Sequence, residues 1–278
     1  MSNVSNHEFF AGKTVFITGG SSGIGKALAF ELAQRGADVS IVGRTRDAVE
    51  ETTREFNHAG LQVLTWPCDL SDEAATLRLV NDVLAQTGPP DILINNAGFA
   101  TYRTFEQLSF NEISSLITVN LLAPIRLTRG FIPAFIARRS GVIVNIGSIA
   151  GMIPLTPNMI YTTAKHGLVA WSQCLRFELE CFNIHVNVIC PGRVVTSFFD
   201  HETFRTRQPP REAHHTVRLP QVVDHTLDAV VRNRFMTYIP KSFGLLVWTM
   251  NAAPFLVSPF YRHMMRRRLG MIDRTSRK

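Results

Sequence analysis

Short apolar runs alternate with longer amphipathic stretches along most of this chain. Residues 13–17, 38–42, 61–66, 91–94, 142–146, 184–189 and 235–239 are apolar runs closed by Gly, Pro, Asn or a charged residue, which predicts strands. Between them, Ala27, Leu28, Phe30, Leu32 and Ala33 recur at helical spacing, and residues 72–86, 111–137 and 159–181 read as longer helices, the first capped by Ser71. Strand followed by helix throughout predicts an α/β chain, whose ligands bind at the carboxyl edge of the sheet.

Composition fixes scale and little else. With 278 residues, 45% of them hydrophobic, the chain can bury one large core, so a single domain is expected. Cys68, Cys174, Cys181 and Cys190 lack metal-ligand spacing and read as reduced core residues of a cytoplasmic protein; no metal is expected. The first ten residues are polar, unlike a secretory signal. The net charge is +7, but from residue 261 onward seven Arg and Lys side chains face one Asp, which leaves the body nearly neutral and argues against a nucleic-acid partner.

Candidate chemistry sits at the strand ends. The first strand runs into Thr18, Gly19, Gly20, Ser21, Ser22, Gly23, Ile24 and Gly25, and a helix follows at once, the context a dinucleotide turn requires. Gly19 permits the turn, Gly23 lets the backbone approach a pyrophosphate, and Gly25 lets the helix pack on the strand. The second strand ends at Gly43 and Arg44, with Arg46 beyond. An NAD enzyme places a carboxylate there; a guanidinium suits a 2′-phosphate, so NADP(H) is the expected cofactor. Asp69 offers an acceptor to an adenine amino group, with Leu70 beside it. Asn95, Ala97 and Gly98 close the fourth strand, where small residues admit a flat ribose and Asn95 can tie strands together.

The fifth strand runs into Ser148. Tyr161 and Lys165 lie four apart, on one helical face, so an ammonium can sit beside a phenol. Asn120 is an amide in a helical pattern, mildly unfavourable there and so in want of a reason, or else an ordinary polar position. Pro191 and Gly192 end the sixth strand, with Val194 and Thr196 after them, and expose backbone groups to a nicotinamide carboxamide. Arg193 either faces solvent or meets an anionic substrate.

Taken in order, TGGSSGIG at 18–25, Asp69, NNAG at 95–98, Asn120, Ser148 thirteen positions before Tyr161, Lys165, and Pro191-Gly192 with Val194 and Thr196 resemble the short-chain dehydrogenase/reductases. The resemblance implies a Rossmann-type, doubly wound parallel sheet of about seven strands in residues 11–240. It also implies a catalytic set of Asn120, Ser148, Tyr161 and Lys165, with Tyr161 as proton donor and Lys165 also holding the nicotinamide ribose. Dimers or tetramers are usual, and a homodimer is expected here because the last strand lacks the usual Gly-rich acidic sequel.

The substrate-side loops, residues 99–105, 152–159 and 198–217, are aromatic and aliphatic, which suits a hydrophobic substrate or apolar packing under a lid. His201, His214 and His215 read as solvated loop residues. Residues 241–278 form an apolar, then basic, extension interrupted by Pro254 and Pro259, too broken to span a bilayer. A lid, a dimer patch, or a peripheral membrane contact through residues 244–268 are all open; the extension resembles that of lipid-directed members such as 3-ketosphinganine reductase. The expected function is reduction of a lipophilic ketone with NADP(H), the rival being an NADP(H)-binding sensor or scaffold without turnover.

Overall fold

The structure, a computed structural model, describes residues 6–199, 202–205 and 216–270. Among the described residues nine strands follow in order: β1 (Thr14–Thr18), β2 (Asp38–Gly43), β3 (Leu64–Pro67), β4 (Ile92–Asn95), β5 (Gly141–Ile146), β6 (Ile184–Pro191), β7 (Arg193–Val194), β8 (Thr216–Val217) and β9 (Met236–Ile239). Seven form one parallel sheet in the order β3-β2-β1-β4-β5-β6-β9, and β7 pairs with β8 apart from it. The winding reverses between β1 and β4, where such sheets open a crevice at their carboxyl edge.

Consecutive side chains of a strand face opposite ways, so a sheet covered on both faces needs apolar residues at every position. Val15 and Ile17 of β1 join Leu28, Leu32, Val222 and Leu227 from the helices Gly23–Gln34 and Leu219–Val231. Phe16, between them, joins Leu79, Leu127, Phe131 and Leu175 on the other face, from the helices Glu73–Gln86, Ala123–Arg138 and Met159–Leu179. Burying one such ring contributes roughly 1.5–3 kcal/mol.

Several sequence expectations shift. Asp72, not Ser71, caps the helix Glu73–Gln86, its carboxylate accepting from Ala75 N at 3.0 Å. The stretch 111–137 is not one helix: Phe110–Ile117 passes through a π-helical turn at Thr118–Leu122 before Ala123–Arg138 begins. Pro254 opens the last helix, Pro254–Gly270, and Pro259 lies inside it, so the chain breaks at Ala253 alone. Cys174 and Cys181 are exposed, not core; all four cysteines are free. His201, His214 and His215 lie outside the described residues.

Candidate active site

β1 and β4 are clamped where they end. The Thr18 hydroxyl accepts from Asn96 N and Ala97 N, both at 3.0 Å, and Asn96 Nδ2 donates to Thr18 O at 2.9 Å and Gly19 O at 3.1 Å. These bonds hold the glycine turn against the end of β4. A Cβ on Gly25 would lie 2.3 Å from Gly19 O, so the helix sits directly on the turn as its sequence predicts. Gly23 has φ +53°, in the left-handed region that favours glycine, and its α-carbon faces the Thr196 side chain. Ser22 stands at the N-cap but makes no side-chain cap bond, which leaves its hydroxyl to a ligand at the helix N-terminus. Ser21 lies beside Gly43, at the end of β2, and Ile24 packs on the core.

Arg44 is exposed just past Gly43 and has no ion pair among the described residues. Asp69 is exposed; its Oδ1 accepts from Ser71 N at 2.9 Å and Ser71 Oγ at 2.8 Å, and Leu70 beside it is buried. Asn95 ties neighbouring strands, as its sequence predicts. It is buried, and its Nδ2 donates to Asn145 Oδ1 at 2.8 Å and Thr128 Oγ1 at 3.2 Å. Asn145 Nδ2 donates in turn to Ser172 Oγ at 2.8 Å, and Ser172 to Leu168 O at 2.6 Å. This network ties β4 and β5 to the two helices behind them, and so positions Ala97 and Gly98.

The catalytic candidates converge beside it. Ser148 follows β5, half-buried, with its Oγ accepting from Ala150 N at 3.1 Å. Burial pushes the pKa of the nearby Tyr161 phenol up to about 12, while the Ser148 hydroxyl acts in the opposite direction. Lys165 is buried, one helical turn on; its Nζ donates to Ile146 O at 2.8 Å and lies 5.7 Å from the Tyr161 ring centre. Burial lowers its pKa to about 8.

Asn120, fully buried in the π turn, donates from Nδ2 to Phe99 O at 2.9 Å and Leu116 O at 3.0 Å. Its Oδ1 has no protein partner, and a Cβ on Gly98 would lie 2.6 Å from that oxygen and 3.6 Å from Lys165 Nζ. Gly98, Asn120 and Lys165 therefore meet at one point. The π turn accounts for the mid-helix amide, since such turns aim side chains at functional sites.

Pro191 ends β6, Gly192 N donates to Ile239 O at 2.8 Å, and buried Val194 pairs with Val217. Arg193 is half-buried, its guanidinium carbon 5.0 Å from the Phe199 ring centre and its Nε without a hydrogen-bond partner. From Tyr161 an aromatic wall leads outward: Phe198 at 5.7 Å, Phe199 at 5.2 Å from Phe198, Phe204 at 5.3 Å from Phe199, then Tyr102 at 5.7 Å.

The sequence expectation omitted Asn96, Asn145 and Cys190. Asn145 had a signal, an amide within the buried run of β5 that must find partners. Cys190, buried beside Lys165, had none, because its neighbour comes from another element. The residues present fit a dinucleotide: a cradle a Cβ would fill, an unpaired cation at the end of β2, and an orphaned buried acceptor beside the ammonium.

The family profile described as short chain dehydrogenase matches residues 13–206. A ketoacyl reductase, HetN, of Nostoc sp. is 38% identical over 183 residues, 66% of this chain and 64% of that protein; a fatty acyl-CoA reductase of Acinetobacter baylyi is 35% identical over 182 residues, 64% of this chain and 61% of its own length. The matched stretches thus span under two thirds of either relative. A short-chain dehydrogenase from Sphingobium yanoikuyae, solved in complex with NADPH, superimposes with TM-score 0.77 at 30% identity, covering 89% of this chain and 95% of that one. With the glycine turn, the Ser148, Tyr161 and Lys165 cluster and the seven-stranded sheet in place, the chain belongs to the short-chain dehydrogenase family, a family of oxidoreductases.

Proposed function

We propose that this protein is an NADP(H)-dependent oxidoreductase that reduces a lipophilic ketone to a secondary alcohol. The observation that carries the reading is the junction of Ser148, Tyr161 and Lys165 at the carboxyl edge of β5, at the foot of an aromatic wall. NADPH, when bound, supplies the hydride. The backbone of Gly19–Gly25 and the Ser21, Ser22 and Thr196 hydroxyls would hold the phosphates. Arg44, with Arg46, would take the 2′-phosphate, Asp69 and Leu70 the adenine, and Ala97, Gly98 and Lys165 the riboses. Pro191, Gly192 and Val194 would border the nicotinamide.

The chain's own residues then handle the oxygen. Ser148 donates to the carbonyl oxygen as negative charge grows there. Tyr161, whose phenol keeps its proton far above neutrality, gives that proton to the oxygen as the carbonyl carbon gains its hydrogen. The Lys165 ammonium, oriented by Ile146 O, stabilises the phenolate left behind and returns a proton to it; Asn120 Oδ1 is placed to hold a solvent water that reprotonates the amine.

Support for the substrate class comes from the wall of Phe198, Phe199, Phe204 and Tyr102, and from relatives named for acyl substrates. Support for NADP(H) comes from Arg44 and from the NADPH-bound neighbour. Four free cysteines suit a reducing, cytoplasmic setting. Phe110 and Phe177, rings exposed at 90% and 73%, suit a homodimer. The test is NADPH oxidation over a panel of lipophilic ketones by wild type and Tyr161→Phe. The variant should bind NADPH and turn over at least about 100-fold more slowly; equal consumption would instead favour a sensor whose turnover is incidental.

A further inference from the structure

No acidic residue occurs between Asp228 and Asp273, a span that contains both C-terminal helices. The first, Ser242–Ala252, is anchored from within: Phe243, Leu246, Val247 and Met250 pack with Ile149, Ile153 and Tyr238, next to Ser148. Its other side is open. Leu245 and Trp248, three apart and hence neighbours on the helix surface, are 68% and 65% exposed. The second helix, Pro254–Gly270, whose stretch Val257–Gly270 lies at 112° to the first, adds Phe255 and Phe260, 74% and 71% exposed. Four of the ten large hydrophobic side chains exposed among the described residues thus fall within one stretch of the chain.

Two polar side chains of the first helix bond back to its own backbone: Thr249 donates to Leu245 O at 2.8 Å and Asn251 to Val247 O at 2.9 Å, which lowers the cost of taking them out of water. Beyond Phe260 the character changes to exposed Arg262, Arg266 and Arg267, with no acidic partner among the described residues. Among those residues no single helix is long and apolar enough to cross a membrane.

We propose that this helical pair seats on an anionic lipid surface, Leu245, Trp248, Phe255 and Phe260 entering the headgroup boundary while Arg262, Arg266 and Arg267 meet lipid phosphates and carboxylates. Apolar insertion or a basic patch alone holds a protein weakly; stable peripheral binding takes two such signals, and this segment carries both. A second copy of the chain suits the face less well, because a two-fold pairing would set arginine clusters of one sign against each other. Since the inner side of the same helix packs on Ile149 and Ile153, seating also turns the substrate cleft toward the bilayer. That consequence, delivery of substrate from the lipid, rests on the lipophilic-ketone reading above; the docking itself does not.

The experiment is co-sedimentation of the purified full chain with vesicles of phosphatidylcholine alone or with about a third phosphatidylserine, a content chosen to give a strong negative surface potential. At least tenfold more protein should sediment with the anionic vesicles, and added salt should release it. Arg262→Ser/Arg266→Ser/Arg267→Ser should abolish the anionic preference, and Leu245→Ser/Trp248→Ser should abolish sedimentation with both. Both variants should keep wild-type NADPH binding, which shows that they fold. Equal sedimentation of wild type with both vesicles, or none, would overturn the proposal. So would conversion of a dimer to a monomer by Leu245→Ser/Trp248→Ser, which assigns the face to a second copy. Vesicle binding is read without turnover, so a failed ketone assay leaves this result standing.

Discussion

Around the glycine turn the shape of the site is set by backbone: Gly25 under Gly19 O, Gly23 with positive φ against Thr196, and Asn96 bonded to two successive carbonyls. Across the cleft the shape is set by side chains, an aromatic wall and an apolar helix laid over Ile149 and Ile153. Backbone contacts cannot be altered without moving strands, whereas rings can be exchanged with local repacking. Substitutions on the first side should therefore damage binding and stability together, and on the second should retune substrate preference alone.

Lys165 gives the largest expected effect and stands where the two sides meet. Lys165→Met should slow reduction by about 10²–10⁴-fold while leaving the fold intact. In the wild type the rate should fall as pH rises through about 8, where Lys165 loses its proton, while Tyr161 keeps its own toward about 12; a pH–rate profile of both proteins checks this. Stability has the opposite sign. With its folded pKa near 8 and its ordinary value at 10.5, Lys165 binds more protons unfolded between those limits, so melting temperature gains a rising contribution there that Lys165→Met lacks.

Gly25→Ala is next. Its new methyl would meet Gly19 O at 2.3 Å and Asn96 Nδ2 at 2.4 Å, and the overpacking should cost about 1–3 kcal/mol, seen in thermal melts together with weakened cofactor binding. A drop in affinity at unchanged stability would break the comparison. Arg44→Ala should weaken NADPH by about 10–100-fold, the worth of a charge-assisted bond, and leave NADH nearly unchanged in a titration. Equal losses would remove Arg44 from the phosphate site. Phe198→Leu, the mildest, should give up about 0.5–1.5 kcal/mol of ring pairing and appear as a few-fold rise in KM for aromatic or long-chain ketones, with kcat and melting temperature nearly steady.

The same contrast explains what the sequence could announce. Each strand of the main sheet was legible because burial on both faces demands unbroken apolar runs, and the glycine turn because strand, turn and helix are contiguous. Residues 61–63 were drawn into β3 wrongly: Leu61 and Val63 continue its apolar alternation, but pairing with β2 starts at Ser40 opposite Leu64. The π turn at Asn120 was hidden, since an extra residue in a helix leaves the apolar spacing nearly intact. Cys190 beside Lys165, and the helix Ser242–Ala252 over Ile149, are long-range meetings that no local pattern encodes.

One consequence follows from Asn120. Both of its amide hydrogens are spent on carbonyls, at Phe99 and Leu116. A rotated amide would set oxygen against oxygen, so only the lone pairs can face Gly98 and Lys165. The position is a fixed terminal of one polarity: whatever docks there must offer hydrogen, and traffic of protons past it acquires a direction before any substrate arrives.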